Sequence, residues 1–388
     1  MHFVPSAAIL KNGIDRAGII NDPGGASPWK NGGKSPEFGD GMEKAKVLIV
    51  GSGVAGAVRH LPFFKKHPEV ALAGMCDPDL ARARRVADEN GIPGAYASLE
   101  EGLRETGARI VSICTPPQTH KDLAIYAFEH GADVLLEKPF AVTLEEAREV
   151  VAAQKRTGRK LSVVHQNKFM AGILRMTDIV KRGEAGRVLH VGLTWMTNGD
   201  QDRMVIDPNF WCHKIPGGRW AESLPHQLYI AYALVGEMKL LSVAARKTTA
   251  KWPWMSADEV DVVLESRDGY VNIRMSANPV ETKRRINVLH GTKASYMFSY
   301  KTAFALAERP NAKLSAELFR RWLAARILPR KKQAAPPSPH EYVINHFVDY
   351  VLHDGENPTS PEEALHVEEL NERFGAEFER VIRKSPAG

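Results

Sequence analysis

The stretch that most constrains this chain is "VLIVGSGVAG", residues 47–56, an apolar run that passes directly into glycines at 51, 53 and 56. The spacing G-x-G-x-x-G fits a turn between a strand and a helix whose amino terminus faces a pyrophosphate. There Gly51 permits the tight bend, Gly53 lets the backbone approach the phosphates, and Gly56 lets helix and strand pack closely. Val54 and Ala55 open the helix and bring its N–H groups to the same point. Three glycines also make an ordinary loop, so the surrounding chain has to decide.

It decides by alternation. "AKVLIV" (45–50), "VALAGMCD" (70–77), "RIVSICTP" (109–116), "DVLLEKP" (133–139) and "KLSVVHQ" (160–166) read as strands. Between them lie helical stretches: 54–66, one helix with Pro62 late in it; "PDLARARRVADENG", with Pro78 at its start and Gly91 after its end; "THKDLAIYAFEHG"; and "TLEEAREVVAAQKRTG", with a Thr143/Glu146 capping box and Gly158 as its stop. The strands lack polar alternation, which implies a parallel, doubly wound sheet covered on both faces. After about residue 186, "RVLHVGLTWMT", "VDVVLESRDG", "YVNIRMSAN" and "RRINVLHG" read as longer, mostly antiparallel strands with turns at "RDGY" and "HGTK". The tail 340–384 reads as helical, broken at "DGENPTSPEE", with Ser360-Pro361 as a helix start. The expected organisation is an arm at 1–44, a dinucleotide-binding domain at 45–165, and a substrate-binding and oligomerisation domain at 166–388 whose last helices can pack back on the first domain.

With 388 residues, 44% hydrophobic and 25% charged, the chain suits a soluble protein of two domains. No apolar run approaches the roughly 20 residues that span a bilayer, and no secretory signal is read at the amino terminus. Cys76, Cys114 and Cys212 are scattered, with neither zinc spacing nor a disulfide framework. We therefore expect a cytoplasmic protein without a metal. The net charge of +6 concentrates in the amphipathic stretch 313–332, ending "RRWLAARILPRKK". That stretch reads first as a solvated helix face, with peripheral membrane contact as the sharper alternative. A small, sugar-like and potentially anionic substrate is expected, and no nucleic-acid partner.

Asp77 ends the second strand 21 positions after Gly56, where a carboxylate accepts from the adenine-ribose hydroxyls. A carboxylate there repels a 2′-phosphate and favours NAD, while Arg82 and Arg84 just downstream can tolerate NADP. Ligands of such sheets sit outside the carboxyl ends of the strands. "CTPPQTH" (114–120) and "EKP" (137–139) end two of them. Thr115, Pro116, His120, Glu137 and Lys138 are therefore assigned to the cofactor site.

These residues, with the "HQNKF" that follows, resemble the glucose–fructose oxidoreductase / inositol dehydrogenase / MocA family. So do "KRGEAGRVLHV" and "FWCHKIPGGRWAESLPHQLYIAYALVG", and the likeness covers 45 to roughly 300. The resemblance implies a Rossmann domain followed by an α/β domain with an open, mostly antiparallel sheet, and a homodimer or homotetramer. It implies hydride transfer to or from a sugar, cyclitol or nucleotide sugar, with Lys138 as the active-site lysine and His226 as the active-site histidine. The chain departs from the family pattern in three places. Glu222 stands where an Asp is usual, Arg219 follows Gly217 and Gly218 where a third glycine is usual, and Gln166, Asn167, Lys168 and Phe169 stand for an Asn-Arg-Arg-Phe type of stretch.

Hydride transfer needs a group that exchanges the hydroxyl proton, which suits His226, and one that stabilises charge on the reacting oxygen, which suits Lys138. Glu222 and His226, at i and i+4, share a face if that segment is helical, and Pro225 is tolerable because it falls in the first turn. Gln166, Asn167, Lys168, Trp195, Asn198, Trp211, His213 and Arg219 are the candidate substrate contacts, the tryptophans for a sugar face and Arg219 for an anionic group. Two alternatives stand beside the dehydrogenase. One is a glycosidase or lyase that oxidises its sugar transiently with no net NADH; the other is a non-catalytic cofactor sensor or scaffold.

Overall fold

The computed structural model describes residues 43–278, 286–300, 303–306 and 338–384. The expected arm lies outside them apart from residues 43 and 44, as does the amphipathic stretch 313–332. Strand β1 (Ala45–Val50) ends in four buried residues and runs into the glycine loop. Next come a wide-turned helical segment (Val54–His60) and α1 (Leu61–Lys66). A single helix was expected over this range. The structure divides it because Pro62 lacks an N–H and crowds the preceding turn. The Leu61 N–H instead reaches back five residues to the Gly56 carbonyl.

The alternation continues through β2 (Val70–Cys76), α2 (Leu80–Asn90), β3 (Gly94–Tyr96), α3 (Leu99–Thr106), β4 (Ile110–Ile113), α4 (His120–Glu129), β5 (Asp133–Leu136), α5 (Leu144–Thr157) and β6 (Leu161–Val163). Helix α2 starts later than expected. The Asp79 carboxylate caps it by accepting the Arg82 N–H at 3.0 Å, which leaves Pro78 outside. The sheet order is β3-β2-β1-β4-β5-β6, all parallel. Strands β4, β5 and β6 are buried throughout, which is why they read as unbroken apolar runs.

The second half holds α6 (Ala171–Lys181), β7 (Val188–Met196), the short α7 (Arg203–Ile206) and α8 (Gly218–Val235). Strands β8 (Met238–Arg246), β9 (Glu259–Ser266), β10 (Tyr270–Ser276), β11 (Asn287–Gly291), β12 (Ser295–Phe298) and β13 (Ala303–Leu306) follow. They form a sheet of order β13-β12-β11-β7-β10-β9-β8 in which β7 and β10 pair parallel and every other pair is antiparallel. Helix α8 shares a core with this sheet through Trp220, Leu224 and Leu228. The tail forms α9 (Pro339–His353) and α10 (Pro361–Lys384). Helix α9 buries Val343, Ile344, Phe347, Val348 and Val351 in the same cluster as Val47, Ile49 and Phe64 of the parallel sheet's flank. Helix α10 places Val367, Phe374 and Phe378 in the core it shares with α8.

Candidate active site

The site starts at the switch point between β1 and β4, where the order of the parallel sheet reverses. Gly51 has φ +98°, and a Cβ there would lie 2.7 Å from the Cys114 carbonyl oxygen. A Cβ on Gly56 would lie 1.9 Å from the Gly51 oxygen, so helix and loop touch through backbone alone. Around Gly53 nothing stands within 4 Å of such an atom, and no side chain caps the helical segment that follows. Its first N–H groups are left to a ligand, and an uncapped helix start beside open space fits a dinucleotide pyrophosphate.

At the end of β2, Asp77 is 3% exposed. Its Oδ2 accepts from the Ser52 N–H (2.9 Å) and the Ser52 hydroxyl (2.7 Å), and its Oδ1 from Arg82 (2.6 Å). Burial alone would raise its pKa, but the hydrogen bonds from Arg82 and Ser52 bring it down to about 2. Ser52 and Arg82 thus orient the acid at the expected ribose position.

The β4 and β5 ends are stapled together by His120, whose ring nitrogens face the Thr115 and Pro139 carbonyls at 2.9 Å each. This wholly buried ring holds two loops and does not reach the open space. Thr115 sits at the rim, accepting from the Thr119 hydroxyl at 2.8 Å, and Pro116 leads into the turn Pro117–Thr119. Glu137 points inward at 6% exposure, where its carboxylate binds His60 and the Lys138 N–H.

Lys138 turns the other way, toward α8, and its Nζ lies 2.9 Å from Glu222 Oε1. Arg219 holds the opposite oxygen of Glu222 at 3.2 Å and Asp202 at 2.8 Å, and also contacts the Ser223 hydroxyl. Burial would raise the Glu222 carboxyl, but the charges of Lys138 and Arg219 offset this and hold it below its ordinary pKa. One helical turn on, the His226 ring stacks on Trp195 at 5.7 Å between centroids and 7° between planes. His165 meets His226 edge-on at 6.0 Å and stacks on Tyr229 at 3.3 Å. Burial, then the nearby His226 and Lys138, push the His165 pKa far down, so this ring is neutral.

Lys138, Glu222, His226, Trp195 and Arg219 therefore meet, but Arg219 not as expected. Arg219 is 4% exposed and occupied by two carboxylates, so it braces Glu222 rather than waiting for an anion. Pro225 is not in the first turn, because α8 begins at Gly218, just after the left-handed Gly217. It lies inside the helix and removes the hydrogen bond to the Ala221 carbonyl. Lys168 is not brought to the cluster; Glu363 of α10 binds its ammonium at 2.6 Å. Asn167 is 8% exposed beside it, and Gln166 opens the same short turn, Gln166–Phe169. The Asn198 side chain caps the turn Gly199–Gln201, and Trp211, 47% exposed, and His213 lie on the turn Trp211–Lys214. His60, His165 and Asp202 went unremarked in the sequence. His165 stands inside the quoted "HQNKF", whereas nothing local marks Asp202.

The parallel sheet, glycine cradle and strand-end acid define a dinucleotide-binding Rossmann domain. Residues 45–165 match the oxidoreductase family with an NAD-binding Rossmann fold, and over this domain the chain is similar to the glucose–fructose oxidoreductase / inositol dehydrogenase / MocA family. D-glucoside 3-dehydrogenase of Escherichia coli is 26% identical over 143 residues, 37% of this chain and 41% of that protein. Inositol 2-dehydrogenase of Arthrobacter is 27% identical over 232 residues, 58% of this chain and 65% of the relative. The chain spans about half the length of the curated relatives it matches. The fold extends further: the WlbA dehydrogenase of Bordetella pertussis, in complex with NADH and UDP-GlcNAcA, has a TM-score of 0.66 at 17% identity, over 88% of this chain and 96% of that one.

Proposed function

We propose that this chain is an NAD-dependent oxidoreductase acting on a CH–OH group or carbonyl of a sugar, cyclitol or nucleotide sugar. The observation that carries the reading is the Lys138–Glu222 ion pair. It joins the cofactor-binding sheet to α8 one turn from His226, so acid, base and cofactor cradle converge. Glucoside 3-dehydrogenase, inositol 2-dehydrogenase and the UDP-GlcNAcA complex of WlbA support the substrate class.

Bound nicotinamide supplies the hydride acceptor or donor, and the loop at Gly51, Gly53 and Gly56 with Asp77 holds the dinucleotide. Lys138 donates a hydrogen bond to the reacting oxygen and stabilises the negative charge that develops on it. Glu222 keeps the ammonium in place, and Arg219 and Asp202 fix Glu222 in turn. The extra methylene of Glu222 relative to the family's Asp is thereby anchored at both oxygens. His226 takes the hydroxyl proton in oxidation and returns it in reduction, with its plane set by Trp195.

A panel of sugars, cyclitols and nucleotide sugars, read by NADH absorbance, tests this. Lys138→Ala and His226→Ala are each expected to lower turnover roughly 100- to 1000-fold while NADH still binds by fluorescence. Wild-type turnover in either variant removes that residue from the mechanism. Glycoside cleavage with no net absorbance change would move the reading to the transient-redox class.

A further inference from the structure

A buried strut stands behind Lys138. His60 ends the wide-turned segment that begins at the glycine loop, and its ring is wholly buried. Its Nδ1 lies 2.8 Å from Ser112 Oγ on β4, and its Nε2 lies 3.1 Å from Glu137 Oε1 at the end of β5. The second oxygen of Glu137, Oε2, accepts the Lys138 N–H at 3.0 Å. One chain of contacts therefore runs from the cofactor helix to the main chain of Lys138.

Ionised groups persist in such a place only when paired and hydrogen-bonded, and both Glu137 oxygens have donors. Burial opposes charge on His60, yet Cys114 and Glu137 raise its pKa to about 10. Burial opposes charge on Glu137 as well, yet His60 and the Lys138 N–H lower it to about 2. His340 of α9 faces the same pair, and burial brings its own pKa down to about 4, so it brings no competing charge at neutral pH.

We propose that His60, paired with Glu137, is a positioning residue that fixes the Lys138 main chain against the cofactor helix. The inference rests on the reading of Lys138 given above. Its arrangement explains why the Glu of "EKP" turns inward while the Lys turns toward α8. Loss of the pair would free the backbone under the ammonium.

The test uses the full chain labelled with ¹⁵N-lysine, the Lys138 amide being identified by its loss in Lys138→Arg. In the wild type this charge-assisted hydrogen bond is expected to put the amide proton far downfield and to hold it there across the neutral pH range. His60→Gln keeps a donor and removes the charge. The amide is then expected to move upfield and kcat to fall about 100-fold, the cost of a small misplacement of a reacting group, with KM and NADH affinity retained. Glu137→Gln is expected to act in the same direction. A folded His60→Gln protein with an unmoved amide and wild-type kcat overturns the proposal. So does a wild-type amide that titrates near the ordinary histidine pKa of about 6.5, a result that needs no variant to fold. Turnover surviving Lys138→Ala would sink the functional reading instead, and leaves the amide result intact.

Discussion

The two ends of the site are built from different material. At the cofactor end the working surface is backbone: glycines whose missing side chains leave a bend, a contact and an opening. At the reacting end it is charge, with Lys138, Glu222, Arg219 and Asp202 arriving from three places in the chain and satisfying one another. At Gly51 and Gly56 the first kind of site tolerates no added atoms. The second tolerates reshaping as long as the charges stay paired. Two of the chain's three departures from the family pattern, Arg219 and Glu222, fall in this charged cluster, the third lies at Gln166–Phe169, and none falls in the glycine turn.

Three substitutions can break that contrast. The largest expected effect is at the reacting end, where Glu222→Gln leaves Lys138 and Arg219 short of a partner. Removing one member of a buried charged group costs about 3–5 kcal/mol, so urea unfolding should show a loss of that order; an unchanged midpoint would mean the cluster is not coupled. Second, Gly51→Ala puts a side chain at φ +98° and 2.7 Å from the Cys114 oxygen. Backbone strain of roughly 1–3 kcal/mol should come with a large drop in NADH affinity, and retention of both would refute the backbone account of this end. The smallest effect concerns Asp77. Its folded pKa of about 2 lies below the ordinary 3.8, so its contribution is complete above 3.8 and is lost as pH falls through 2. Asp77→Asn should lower stability at neutral pH, where the carboxylate's contribution is complete, and flatten the fall in stability across that acid window; equal acid slopes would show that Arg82 and Ser52 do not favour the carboxylate.

The same contrast decides what could be read from sequence. The glycine turn, its flanking strand and the acid at 77 are local, and each residue announces its own constraint. The parallel sheet was legible because strands buried on both faces write unbroken apolar runs. Strand β3 and helix α3 went unread; three half-buried residues carry no periodicity. The charged cluster was half legible. Lys138, Glu222 and His226 came from the family likeness, but Asp202 meets Arg219 across 17 positions and His60 meets Glu137 across 77. Such pairs exist only once the chain has folded. Arg219 and Lys168 show the reverse error: a cation looks available in sequence until the structure supplies its acid, Asp202 in one case and Glu363 in the other.

Helix α9 has a consequence for the order of events during synthesis. Its five apolar residues close the flank of the sheet that begins at residue 45, and the Val351 carbonyl takes a hydrogen bond from Arg109 at 2.8 Å. The nucleotide-binding half thus leaves the ribosome before the helix that completes its core. Until position 351 is out, Val47, Ile49 and Phe64 lack their cover, so a chain cut near residue 165 would expose an apolar flank and be prone to aggregate.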